Sequence, residues 1–113
     1  MPVIQYSSNY HFKNDEINEV AGKFTELASK VLEKPLPAVM FMHSEMDMYK
    51  AENDDICGYV EFKYVGSASS EQKTQLCDGA LEILTEYTKV DPHRVYINII
   101  ENPRENAWKY TEK

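Results

Sequence analysis

Between Ile17 and Leu32 the apolar residues Ile17, Val20, Ala21, Phe24, Leu27, Ala28, Val31 and Leu32 recur at the spacing of one helical face. That stripe predicts an amphipathic helix within NDEINEVAGKFTELASKVLEK. Asn14 is placed to cap its start, Asp15 and Glu16 suit the positive end of the helix dipole, and Pro35 and Pro37 stop it. A second stripe, through Leu76, Cys77, Ala80, Leu81, Ile83, Leu84 and Tyr87, predicts another helix within SASSEQKTQLCDGALEILTEYTKV. Ser69 and Gln72 have the spacing of a capping box at its start.

Around these helices the pattern changes to that of strands. VIQYSSNY reads as a short strand and a turn, and AVMFMH as a strand that is apolar on both faces. CGYVEFKYVG alternates, with Val60, Phe62 and Tyr64 on one face and Glu61 and Lys63 on a wetter one. DPHRVYINII restarts a strand after a Pro-containing turn. SEMDMYKAENDDI is read as a long polar loop at the rim, and ENPRENAWKYTEK as a polar tail around one tryptophan. The order β-α-β, loop, β-α-β predicts an α+β fold as a single domain over residues 1–113. Two β-α-β units, each with a right-handed crossover, would form a four-stranded sheet with both helices on one face. The other face would stay uncovered within the chain, although AVMFMH and VYINII are apolar on both sides. That mismatch predicts burial by neighbouring copies, an oligomer.

Composition narrows the function classes. With 113 residues and 42% hydrophobic residues, the chain can fold as one ordinary globular domain. A net charge of −7 argues against a nucleic-acid or anionic-membrane surface, while leaving room for a small cationic pocket. No apolar run is long enough to span a bilayer, and the start lacks the blocks of a signal peptide, so a cytoplasmic location, or release without a signal peptide, is the expectation. Cys57 and Cys77 form no CxxC pair and read as packing residues in a reducing compartment. His11, His43 and His93 have no metal-ligand spacing, so no metal site is expected.

Four features then coincide: Pro2 ahead of the first strand, KP after the first helix, VG before the second, and RVYIN in the last strand followed by Trp108. Together they resemble the tautomerase superfamily, and most closely its branch of macrophage migration inhibitory factor and D-dopachrome tautomerase. The likeness runs from Pro2 to Trp108, and DPHRVYIN is its most specific piece. It implies a homotrimer whose sheets wrap into a barrel, with an active site at each subunit interface. By resemblance, the catalytic base is Pro2 after removal of Met1, and the active-site lysine is Lys34. Val65 would supply a backbone contact, Tyr96 and Asn98 would approach from the adjacent subunit, and Trp108 would form a pocket wall. Cys57 is followed by GYV, so the thiol-redox role tied to the CxxC of one branch is not implied. Where well-known members carry a glycine-containing segment, this chain has YKAENDD.

The chemistry of such a site is that of a cofactor-free isomerase. A free secondary amine in a dry pocket beside a cation loses its proton more readily, and can act as a general base near neutrality. Lys34 would hold the carboxylate or enolate oxygen of a small anionic keto or enol substrate, phenylpyruvate-like, by charge-assisted hydrogen bonds. The expected function is therefore keto–enol tautomerisation. The alternative is a cytokine-like protein that binds a receptor, with a vestigial pocket; a third reading keeps a protonated Pro2 as an acid for hydration-type dehalogenation or decarboxylation. Plainer roles also fit single residues: Lys34 as a cation at a helix C-terminus, Tyr96 and Trp108 as core or interface aromatics, and Asn98 with a structural partner.

Overall fold

A computed structural model describes residues 2–13 and 15–106. Strand β1 (Val3–Ser8) leads into helix α1 (Glu16–Leu32), which returns to β2 (Met40–Glu45). After a long connection, β3 (Gly58–Val65) leads into α2 (Ser70–Thr88) and then β4 (Val95–Asn102). The sheet order is β2-β1-β3-β4. Each β-α-β unit pairs its own two strands in parallel, and the units meet where β1 runs antiparallel to β3. The α+β architecture expected from the pattern is the one observed.

Strand parity decides what faces the helices. Ile4, Tyr6, Val60, Phe62 and Tyr64 are buried and pack against Val20, Phe24 and Ala28 of α1 and Leu76, Ala80 and Leu84 of α2. Tyr6 and Phe41 both stack on Phe24, with ring centroids 5.9 and 5.5 Å away. The two helices approach closely at Gly79, where an added Cβ would lie 2.5 Å from a methyl of Leu27. Both helices end on a left-handed residue, Glu33 and Lys89. Ser69 and Gln72 form the full capping box at the start of α2. Residue Asn14, expected as the first N-cap, lies outside the described residues; the cap position of α1 is taken by Asp15, whose side chain makes no capping bond.

The opposite face of the sheet carries Gln5, Met40, Met42, Tyr59, Glu61, Lys63, Tyr96 and Asn98, the residues of the other parity. Met40, Met42 and Tyr96 are exposed there within the single chain. A polar line crosses this face. The Tyr59 hydroxyl donates to Glu61 at 2.6 Å, Glu61 pairs with Lys63 at 3.0 Å, and Lys63 donates to Gln5 at 3.3 Å.

Two strands run further than the hydrophobic pattern suggests. Ser44 and Glu45 continue β2, because Ser44 pairs with Ser7 through their hydroxyls at 2.9 Å and the Glu45 carboxylate meets His11. Glu101 and Asn102 continue β4: Glu101 faces Tyr64, and the Asn102 carbonyl accepts from Gly66 N–H at 2.9 Å. The polar loop therefore begins at Met46. Among the described residues, no helix is long and apolar enough to cross a membrane.

Candidate functional site

One end of the sheet gathers the starts of β1 and β2 with the finish of β3. Pro2 sits there, almost wholly buried, and its carbonyl accepts from Met40 N–H at 3.0 Å. Lys34 lies on the connection that enters β2 beside it. Its backbone is held from both sides, since Lys34 N–H donates to the Ser29 carbonyl at 3.0 Å and the Ser29 hydroxyl donates to the Lys34 carbonyl at 2.5 Å. Pro35 follows with φ fixed at −59°. The side chain of Lys34 is exposed. Val65 closes β3 opposite Asn102, two register steps beyond the pair of Lys63 with Val3.

This end is braced by one carboxylate. Glu101 accepts from the Tyr64 hydroxyl and from Ala68 N–H, each at 2.8 Å, with Lys73 at 3.5 Å. The Ala68 N–H, then the Tyr64 hydroxyl, hold the Glu101 carboxyl below its ordinary range of 4.5. Burial, then the same carboxylate, pushes the Tyr64 phenol upward, so it stays a donor.

Tyr96 and Asn98 lie elsewhere. Tyr96 pairs with Tyr59, which pairs with Ser7, so it stands about five residues, roughly 16 Å, along the strands from Pro2 and two strands sideways. Asn98 stands level with Gln5, and its amide lies 3.5 Å from the Tyr59 hydroxyl. The hydrogen bond to Glu61 raises the Tyr59 phenol, and that bond, then Lys63, lowers Glu61. Within one chain, then, Pro2, Lys34 and Val65 share one end, and Tyr96 and Asn98 are far from it. Trp108 lies outside the described residues.

At the Tyr96 end is a cavity of about 260 Å³, lined by Met48, Tyr49, Lys50, Tyr59, Arg94 and Tyr96 among others. Sequence reasoning assigned no role to Lys50 or Arg94. Arg94 clamps the long connection: its guanidinium donates to the carbonyls of Ile56, Asn53 and Asp55 at 3.1, 3.0 and 2.9 Å. It also lies 3.0 Å from the Cys57 sulfur, and Cys57 is buried, as a packing residue would be. No group of three or more His, Cys, Asp or Glu among the described residues is arranged to hold a metal ion.

The fold is that of a class of α+β proteins with two crossed β-α-β units. A macrophage migration inhibitory factor of Toxoplasma gondii is similar over 98% of this chain and 97% of its own, with a TM-score of 0.89 and 14% identity. A macrophage migration inhibitory factor-like protein of Entamoeba histolytica is similar over 97% and 95%, with a TM-score of 0.87 and 16% identity. A further structure, of a protein inactivated by 2-oxo-3-pentynoate, has a TM-score of 0.86 and 15% identity over 93% of this chain and 89% of that one. No curated protein sequence matches the chain. The family model of macrophage migration inhibitory factor matches residues 1–111, and the chain belongs to that family.

Proposed function

We propose that this protein is a cofactor-free keto–enol tautomerase of small α-keto acids, working in a homotrimer whose sites lie between subunits. The observation that carries this reading is the division of the candidate residues. Pro2, the Lys34 connection and Val65 collect at one sheet end, whereas Tyr96 and Asn98 stand roughly 16 Å and roughly 10 Å further along the strands. One copy cannot bring them together; a head-to-tail ring of copies can. The exposed outer face of β2 and β4 is the surface such a ring would cover.

In the reaction, Pro2, freed of Met1, takes the proton from the carbon next to the keto group. The electron pair moves into the new C=C bond and onto the keto oxygen, giving an enolate. Lys34 holds the substrate carboxylate or that oxygen while charge builds on it. Water protonates the oxygen and the resulting hydroxide takes the proton back from Pro2, which releases the enol and restores the base; the reverse sequence returns the keto acid. The enclosure of Pro2 favours its uncharged form, which the base role needs. Inactivation of a structurally similar protein by a 2-keto compound, 2-oxo-3-pentynoate, supports the substrate class.

Enol–keto conversion of phenylpyruvate by the wild type and by Pro2→Gly tests the proposal. Loss of the general base should slow kcat by about 10²–10⁴. Equal rates in the two proteins would end it.

A further inference from the structure

The cavity at the Tyr96 end holds two cations in a chain whose net charge is −7. They differ in how they are held. Arg94 directs its Nε and Nη2 donors to the carbonyls of Asn53, Asp55 and Ile56, which fix it as a clamp on the connection. Among the described residues the Lys50 ammonium donates only to the His93 carbonyl, at 3.0 Å, and it lies 5.6 Å above the Tyr96 ring. An ammonium has three donors, so this one faces the cavity with capacity to spare.

Its position is held by an unusual turn. Lys50 N–H donates to the Asn53 carbonyl at 2.9 Å, and Asn53 N–H to the Lys50 carbonyl at 3.2 Å. Between them Ala51 and Glu52 both adopt left-handed backbone, with φ of 53° and 63°. Such a pair normally calls for Asn-Gly, because a Cβ is disfavoured there. Strain of this kind persists only where the surroundings over-determine the backbone, and Arg94 does so from the far side of Asn53.

We propose that Lys50 is a second anion anchor, which selects keto acids carrying another negative group at the end remote from the keto carboxylate. This rests on the tautomerase reading, in which Tyr96 enters the neighbour's site. Lys50 travels with Tyr96 across the subunit boundary, so it meets the end of the substrate opposite Pro2 and Lys34. Tyr96 and Tyr59 supply flat walls for a planar substrate, and Lys50 meets an anion placed beyond it.

The test compares phenylpyruvate with its para-carboxylated analogue, in the wild type, Lys50→Gln and Lys50→Arg. The ratio of kcat/KM for the carboxylated to the plain substrate should fall about tenfold in Lys50→Gln, through KM, and recover in large part in Lys50→Arg. An unchanged ratio in Lys50→Gln would overturn the assignment while leaving the Pro2 chemistry standing. Turnover of neither substrate by the wild type would sink the tautomerase reading instead. Binding then decides on Lys50: terephthalate titrated into each protein and followed by NMR at Tyr96 should bind about tenfold more weakly to Lys50→Gln. Equal affinity, or no effect at Tyr96, would refute the anchor.

Discussion

Replacing Glu101 by alanine should loosen the sheet end that carries Pro2, and the cost can be worked from its contacts. The carboxylate accepts from the Tyr64 hydroxyl and the Ala68 N–H, each at 2.8 Å. Tyr64 is 2% exposed, so its hydroxyl loses its partner without gaining full access to water. Leaving such a donor unsatisfied costs about 1–3 kcal/mol. The Ala68 N–H is half-buried and recovers part of its bond from water, which adds about 0.5–1 kcal/mol. The exposed end of Lys73 adds little. The sum is about 2–4 kcal/mol, a fall in Tm on the order of 10 °C for a domain of this size. Urea denaturation of the wild type, Glu101→Ala, Tyr64→Phe and the double variant measures it. In the Tyr64→Phe background, Glu101→Ala should cost about 1–2 kcal/mol less. Glu101→Gln adds a signed check. The folded-state carboxyl is held below 4.5, so its contribution is present above that value and is lost as pH falls through the folded one. The Gln variant should lack that acid-limb slope. Strictly additive costs, with an unchanged acid limb, would refute the bracing role.

His43 is packed between the rings of Tyr6 and Phe12, and burial, opposed by Glu45, holds its pKa below 6.5. Below that value the unfolded chain takes the proton first, so stability should decline on acidification by at most about 1.4 kcal/mol per pH unit, and His43→Phe should flatten the slope that sets in as pH falls through about 6.5. Gly22→Ala, with nothing within 4 Å of the added Cβ, should stabilise α1 by about 0.5–1 kcal/mol. Gly79→Ala should forfeit that gain, because its Cβ meets Leu27 at 2.5 Å; equal Tm increases in the two variants would contradict the close helix contact.

Much of this architecture was written in periodicity. The stripes of α1 and α2, the Ser69–Gln72 box and the alternation of β3 are local signals, and local signals survive without knowledge of the fold. The ends of β2 and β4 were not legible, because polar residues extend them through partners distant in sequence: Ser44 through Ser7, and Glu101 through Tyr64 and Ala68. The candidate site divided in the same way. Pro2, Lys34, Val65, Tyr96 and Asn98 came from a family resemblance, and register then set the last two apart from the first three. Lys50 gave no sequence signal, and Arg94 stood only as the first residue of RVYIN, with no role attached. Both act through the folding of a segment whose composition read only as a solvated loop, and Ala51 and Glu52 hide a left-handed turn that glycine would have advertised.

The sharing of one site between two copies can be measured by complementation. Pro2→Gly and Tyr96→Ala chains are unfolded together in equal amounts, reassembled, and assayed for enol–keto conversion against each variant reassembled alone. Each variant alone should be slow. Random mixing in a ring pairs an intact Pro2 with an intact neighbouring Tyr96 at about one site in four, so the mixture should regain about a quarter of wild-type activity. A mixture no faster than the mean of its two parents would contradict a site built from both chains.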